Sequence, residues 1–297
     1  MSERSGWESS RSRTSRVVLV TAAILVLAAC GGGETSSDGD TPIQGETSSE
    51  SAPAPSAGAF SPMSGAVIDG RFPVAEDGRQ LALSCWGEGS PTVVLEDGHP
   101  SEQGGRFQFG RTGGAFLNAL VADTRVCAYD RAGYAGSDPA PNEPRTADDV
   151  IEDLHALLTA AEVAGPYVLV GASFGGMIVT YYAARHPEDV AGVVLLDVPA
   201  PTDTLTLEEI PELAWDHPAN PEHVDVIPEF ESRFANERLP IRAPFTVITA
   251  SEGQSSVEDQ SVWLELNPAA AQVQLVGDHD IYLSDALGVA AEVVKLL

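Results

Sequence analysis

From about residue 66 onward, short runs of aliphatic and β-branched residues alternate with stretches whose apolar positions recur at helical spacing. The runs fall at 67–74, 81–86, 92–95, 125–129, 167–170, 190–196, 245–249 and 273–276, and the helical stretches at 114–121, 147–161, 174–185, 257–266 and 281–297. Within 147–161, Val150, Leu154, Leu157, Leu158 and Ala161 share one face. Asp148, Asp149, Glu152 and Asp153 favour the N-terminal turns of that helix, and Thr146 is placed to cap it. Two strands come first and strand–helix alternation follows, which predicts an α/β fold with a mostly parallel sheet and helices on both faces. One segment breaks the rhythm. Residues 198–243 are rich in Pro, Glu, Asp and Asn, with only a weak helical piece at 228–238. The segment lies between two strands near their C-terminal ends, where ligands enter an open α/β sheet, and is expected to form a small lid rather than a plain surface excursion.

The sharpest local signal is Tyr167-Val-Leu-Val-Gly-Ala-Ser173-Phe-Gly-Gly176. An aliphatic run stops at a Gly-x-Ser-x-Gly turn and a helical pattern begins at once. Such a turn holds a serine hydroxyl clear of its own backbone, with Gly171 and Gly175 where flanking backbones come too close for a Cβ. The helix that follows aims its first N–H groups at the place where negative charge would develop on a substrate carbonyl. Ser173 is therefore the candidate nucleophile. A hydroxyl needs a base to react at neutral pH, and the base needs a partner to fix its tautomer. Of the six histidines, His279 occupies a turn after the last strand and before the last helix, a rigid approach on both sides. His186 precedes Pro187 at a helix end, His155 is expected on a helix surface, His217 and His223 belong to the insertion, and His99 follows an early strand. His279 is the candidate base.

The first 61 residues do not belong to this pattern. Arg4, Arg11, Arg13 and Arg16 precede an uncharged apolar run of 13 residues from Val17 to Ala29, too short to span a bilayer but suited to a signal peptide. It ends in Leu27-Ala28-Ala29-Cys30-Gly31, which resembles the bacterial lipobox, in which the cysteine becomes the first mature residue and carries lipid. Residues 1–29 are thus expected to be a signal peptide and Cys30 the lipidation site. Residues 30–61, made of Gly, Ser, Thr, Pro, Ala and acidic residues, read as a disordered tether, and 62–297 as one domain. The chain would be exported and anchored to the outer face of the cell membrane.

A net charge of −28, with Lys295 the only lysine, argues against nucleic acid and against electrostatic binding to anionic headgroups. Besides Cys30 there remain Cys85 and Cys127, an even pair in predicted strands of an exported chain, which suggests a disulfide over two buried free thiols. No His-Glu-x-x-His, Cys-x-x-Cys or phosphate loop is present, so no metal and no cofactor is expected.

Gly171-Ala-Ser173-Phe-Gly175, late His279, early Glu96-Asp-Gly-His99 and Tyr129-Asp-Arg-Ala-Gly-Tyr-Ala-Gly-Ser-Asp138 together resemble the α/β-hydrolase family over about residues 66–297. The resemblance implies an eight-stranded sheet whose second strand is antiparallel and neighbours the fourth. Cys85 and Cys127 would then lie on adjacent strands, where a bond can form. It also implies an oxyanion hole from two backbone N–H groups, here those of Phe174 and His99, although many relatives begin that loop with His-Gly and this chain has Asp97-Gly98 before His99. The catalytic acid has two candidates. Asp197 follows the strand before the lid, and its short side chain at a strand end favours a rigid bond. Glu252, longer and in a Gly/Ser-rich loop, follows the strand after the lid and is the alternative. The expected activity is a serine hydrolase that cleaves a carboxylic ester or related acyl bond of a small molecule through an acyl-enzyme. An amide, thioester or peptide hydrolase, or a non-catalytic surface binding protein on the same fold, is the alternative.

Overall fold

The apolar runs become eight strands of one sheet in a computed structural model that describes residues 65–99, 114–200, 203, 205–229 and 239–297. These are β1 (Ile68–Pro73), β2 (Gln80–Trp86), β3 (Thr92–Glu96), β4 (Val126–Tyr129), β5 (Tyr167–Ala172), β6 (Val190–Leu196), β7 (Phe245–Glu252) and β8 (Ala271–Asp278). Their order is β1-β2-β4-β3-β5-β6-β7-β8. β2 pairs antiparallel with both β1 and β4, and every other pairing is parallel. The described part of the expected disordered tether, export signal and Cys30 is nil: residues 1–64 lie outside the described residues. Among the described residues, no helix is long and apolar enough to cross a membrane.

Burial follows from position in the sheet. All residues of β3, β4 and β5 are buried, as expected for strands covered on both faces, whereas edge strand β1 alternates between half-buried and exposed residues. Helices α1 (Gly114–Val121), α2 (Ala147–Ala160), α3 (Phe174–Arg185) and α4 (Ala286–Val294) cover the sheet, with α1 packed on α4 and α2 on α3. The cap expected at Thr146 is present: its hydroxyl accepts the Asp149 N–H, and the Asp149 carboxylate returns the bond to the Thr146 N–H at 2.7 Å. Cys85 stands directly opposite Cys127 in the β2–β4 register, and the two form a disulfide.

Two helical stretches divide. The 257–266 stretch is one α turn at Val257–Gln260 and then a 3₁₀ helix at Ser261–Leu266, because its buried residues Trp263 and Leu266 lie three apart, the spacing that a 3₁₀ turn brings onto one face. The 281–297 stretch breaks at Asp285, whose carboxylate accepts the Gly288 N–H at 3.1 Å and starts a new helix. The insertion is described in part. One helical turn, Val226–Pro228, ends where the weak helical piece expected at 228–238 begins, and residues 230–238 of that piece lie outside the described residues.

Candidate active site

Three strand ends assemble the site. β5 and β6 run parallel with Ala172 opposite Leu196, so Ser173 and Asp197 are the next residues off two adjacent strands. The Ser173 N–H donates to the Leu196 carbonyl at 3.1 Å, and the Asp197 N–H to the Ile248 carbonyl of β7 at 2.8 Å. Parallel neighbours lie about 4.8 Å apart, which sets the spacing of the two side chains at this rim. His279 is the first residue beyond β8, and its Nδ1 lies 2.7 Å from Asp197 Oδ2. With Nδ1 bonded to the carboxylate, Nε2 on the opposite side of the ring holds the lone pair a base requires.

Ser173 has φ 49° and ψ −126°, in the left-handed half of backbone space that a serine rarely enters. This is the sharp turn read from Gly-x-Ser-x-Gly. Gly171 permits it locally, since a Cβ there would meet the Gly175 carbonyl oxygen at 2.5 Å and Gly176 Cα at 2.6 Å. Gly175 serves a different contact from the one expected. Its missing Cβ makes room for the backbone leaving β3, with the Asp97 oxygen at 2.2 Å and the Glu96 oxygen at 2.5 Å from where that carbon would stand. The glycine thus brings the loop with Gly98 and His99 down onto the start of α3, the two segments from which oxyanion donors were expected. A Cβ on Gly98 would lie 3.0 Å from Ser173 Cβ and 3.6 Å from its Oγ.

The geometry separates the two candidate acids. Asp197 is fully buried, with φ 44°, and besides His279 it accepts from the Ala250 N–H at 3.2 Å, the Gln254 N–H at 3.1 Å and Gln260 Nε2 at 2.9 Å. Burial alone would raise its pKa, but the bonds from His279, the Gln254 N–H and Gln260 outweigh it and hold the carboxylate below its ordinary range. Gly253 lies so close that a Cβ on it would come within 2.3 Å of the Asp197 carboxylate oxygens. Glu252 is the last residue of β7 and is exposed, away from this cluster of donors. Gln254 and Gln260 carried no sequence signal, since a glutamine in a loop or on a short helix announces nothing until the chain folds.

A second buried cluster bonds the loop of Asp97 and Gly98. Arg131 donates through Nη1 to Glu96 Oε1 at 2.8 Å and to the Asp97 carbonyl at 2.7 Å, through Nη2 to the Gly98 carbonyl at 2.8 Å, and through Nε to Glu222 Oε2 at 2.8 Å. Tyr129 donates to the other Glu96 oxygen at 2.5 Å. The rest of the Asp130–Asp138 stretch is scaffolding. Asp130 accepts the Gly136 N–H, Ser137 Oγ accepts the Ala82 N–H, and Asp138 accepts the Gln80 N–H, which fasten the turn after β4 to β2.

Burial pushes the Glu96 pKa up to about 7, with the Arg131 charge and the Tyr129 bond pulling the other way. A carboxyl whose folded pKa exceeds its unfolded one binds more protons in the native state, so its contribution to stability declines as pH rises between the two values. We expect the melting temperature to carry a component that falls between pH 5 and pH 7 and vanishes in Glu96→Gln. Thermal unfolding at half-unit pH steps measures it, and identical profiles for the two proteins would show that Glu96 does not titrate there.

Known proteins share this architecture. The profile of the alpha/beta hydrolase fold matches residues 91–230. The enol-lactonase from Burkholderia xenovorans LB400 superposes with a TM-score of 0.60 at 18% identity, over 74% of this chain and 97% of that one. The chain has the α/β-hydrolase fold. Two further solved structures superpose: the bromoperoxidase from Bacillus anthracis, with a TM-score of 0.61 at 19% identity over 77% of this chain and 99% of that one, and a thioesterase domain from the curacin biosynthetic pathway, with a TM-score of 0.54 at 17% identity over 76% and 99%. Among curated proteins, the uncharacterized YqjL of Bacillus subtilis is 32% identical over 126 residues, 42% of this chain and 46% of that protein. The chain spans less than half the length of the curated relatives it matches. Within this α/β-hydrolase fold, the eight strands, the antiparallel β2 and the β2–β4 neighbours agree with what the sequence resemblance implied.

Proposed function

We propose that the protein is a serine hydrolase that cleaves a carboxylic ester or related acyl bond of a small molecule. The bond of His279 Nδ1 to a buried Asp197, one strand away from Ser173 on its elbow, carries this reading. Ser173 attacks the carbonyl while His279 Nε2 takes its proton, and Asp197 fixes the tautomer and balances the imidazolium. The N–H groups of His99 and Phe174 hold the oxyanion. His279 then protonates the leaving group, and water, deprotonated by the same nitrogen, releases the acid from the acyl-enzyme. The lactonase and thioesterase names among the structural neighbours support acyl chemistry as a class. The Val17–Ala29 run and Cys30 support export and a lipid anchor at the outer face of the cell membrane, an anchor that does not make the substrate a lipid.

The test is a panel of nitrophenyl esters from acetate to palmitate, together with a fluorophosphonate probe whose adduct is mapped by mass spectrometry. The expected result is release with at least one chain length and a single adduct on the peptide containing Ser173. No release at any length would favour a binding protein, and an adduct on another serine would defeat the assignment. A nitroanilide and a thioester of the best acyl group separate the amide and thioester alternatives.

A further inference from the structure

The acyl-transfer reading above needs the N–H of His99 to point at the oxyanion. Within the loop the Asp97 carboxylate accepts the Gly98 N–H at 2.8 Å, which acts on the Asp97–Gly98 peptide, one before the plane in question. A buried side chain acts on the Gly98–His99 peptide itself. In a trans peptide the C=O and N–H bonds point in opposite directions, so anchoring the Gly98 carbonyl on one side sets the direction of the His99 N–H on the other. Arg131 Nη2 anchors that carbonyl at 2.8 Å, and Nη1 anchors the preceding one, of Asp97, at 2.7 Å. A cation bonded to a carbonyl oxygen also draws electron density from the amide, which makes its N–H a stronger donor. The same guanidinium lies 5.9 Å from the ring of Phe174, the residue carrying the second donor.

The guanidinium is itself held from two sides. Glu96, at the end of β3, takes Nη1, and Glu222, from the insertion, takes Nε. Glu222 is buried in a segment with little freedom. Asn220 Nδ2 bonds the carbonyls of Ala214 at 3.0 Å and Val224 at 2.8 Å, and the His223 carbonyl accepts the Arg145 N–H at 2.8 Å. Gly133, with φ +84°, admits the Pro221 carbonyl where a Cβ would stand 2.1 Å from its oxygen. The insertion is therefore linked to the oxyanion loop through Arg131.

We propose that Arg131 is a positioning residue for acyl transfer, orienting and polarising the Gly98–His99 peptide, and that Glu222 of the insertion holds its guanidinium at the required angle. A lysine cannot replace it, because a compact ammonium cannot meet two carbonyls and two carboxylates in one plane. The role predicts a specific kinetic pattern. An interaction that strengthens only in the transition state lowers kcat and leaves KM nearly unchanged.

The experiment compares wild type, Arg131→Lys, Arg131→Met and Glu222→Gln on a nitrophenyl ester. Active sites are counted by fluorophosphonate titration, and an alkyl boronic acid serves as the tetrahedral mimic. Removing one oxyanion donor costs about 10²–10³-fold in kcat, and the Arg131 variants are expected to lose about 10²-fold per active site with KM within about threefold. The boronate Ki should rise by the same factor, a correlation that a merely structural residue would not produce. Glu222→Gln should show the same pattern at about tenfold. A kcat per active site in Arg131→Lys within about threefold of wild type, or an unmoved boronate Ki, overturns the proposal. If both Arg131 variants fail to fold, Glu222→Gln decides: native stability with unchanged kcat and Ki overturns it. Wild type without Ser173-dependent turnover instead sinks the acyl-transfer reading, and this role with it.

Discussion

Ser173→Ala is expected to lower kcat/KM by about 10⁵-fold, Asp197→Asn to lower it by about 10⁴-fold, and the double variant to do no worse than Ser173→Ala alone. On the acyl-transfer reading proposed above the residues act as one unit, so removing the nucleophile already forfeits what the acid and base contribute. Asp197→Asn is the more informative of the two. A carboxylate accepts at both oxygens, and here those oxygens meet four donors: His279 Nδ1, Gln260 Nε2 and the N–H groups of Ala250 and Gln254. An asparagine must turn its NH₂ toward one side of that ring of donors. Turned toward His279, it makes Nδ1 an acceptor and moves the proton to Nε2, where a base cannot hold it. Turned away, it sets donor against donor in a dry site. Glu252→Gln touches neither and should stay within about twofold of wild type. Steady-state kinetics on the best nitrophenyl ester measure all four proteins. A greater loss in Glu252→Gln than in Asp197→Asn would move the acid to the strand after the insertion.

Loss of the Cys85–Cys127 bond should have the largest effect on stability. The cysteines are 42 residues apart, and closing a loop of that length restricts the unfolded chain by about 4 kcal/mol in the chain-entropy account. For a domain of this size that corresponds to roughly 8–16 °C in melting temperature. The bond also sits where the sheet most needs it. Among the described residues β1 pairs only with β2, and β2 joins the parallel strands only through β4, so the bridge fastens the antiparallel arm to the rest. Calorimetry of Cys85→Ala/Cys127→Ala, and of wild type in reductant, should give matching depressed values. A double variant melting with wild type would show that strand pairing alone holds the arm.

The middle of the sheet could be read from the sequence because its strands are nearly uniform in chemistry. Tyr167–Ala172 and Val190–Leu196 are apolar almost throughout, and no other local structure suits such short runs between turn residues. The break at Asp285 could not, because the apolar spacing continues across it and the cap depends on one local side-chain bond. His155, expected on an open helix surface, is half-buried, stacked on His186 at 4.2 Å between ring centres and bonded to Tyr182. That contact joins α2 to α3, and helical periodicity within one segment carries no record of its partner. For the same reason the sequence favours Asp197 over Glu252 only by side-chain length and nearness to a strand end. Both follow a strand, and the left-handed backbone of Asp197 and the donors from Gln254 and Gln260 arise only when β6 and β7 lie side by side. Arg131 and Glu222 are 91 positions apart, and their meeting is a property of the folded insertion.

The backbone angle at Ser173 also restricts what this scaffold can become. At φ 49° a side chain with one heavy atom on Cβ is tolerated, whereas a branched one crowds the main chain on either side. A thiol is therefore one atom exchange away, and a secondary alcohol is barred. Any descendant or redesign of this chain that changes its proposed attacking atom is steered toward unbranched side chains such as cysteine, and away from threonine, before selection acts on rate.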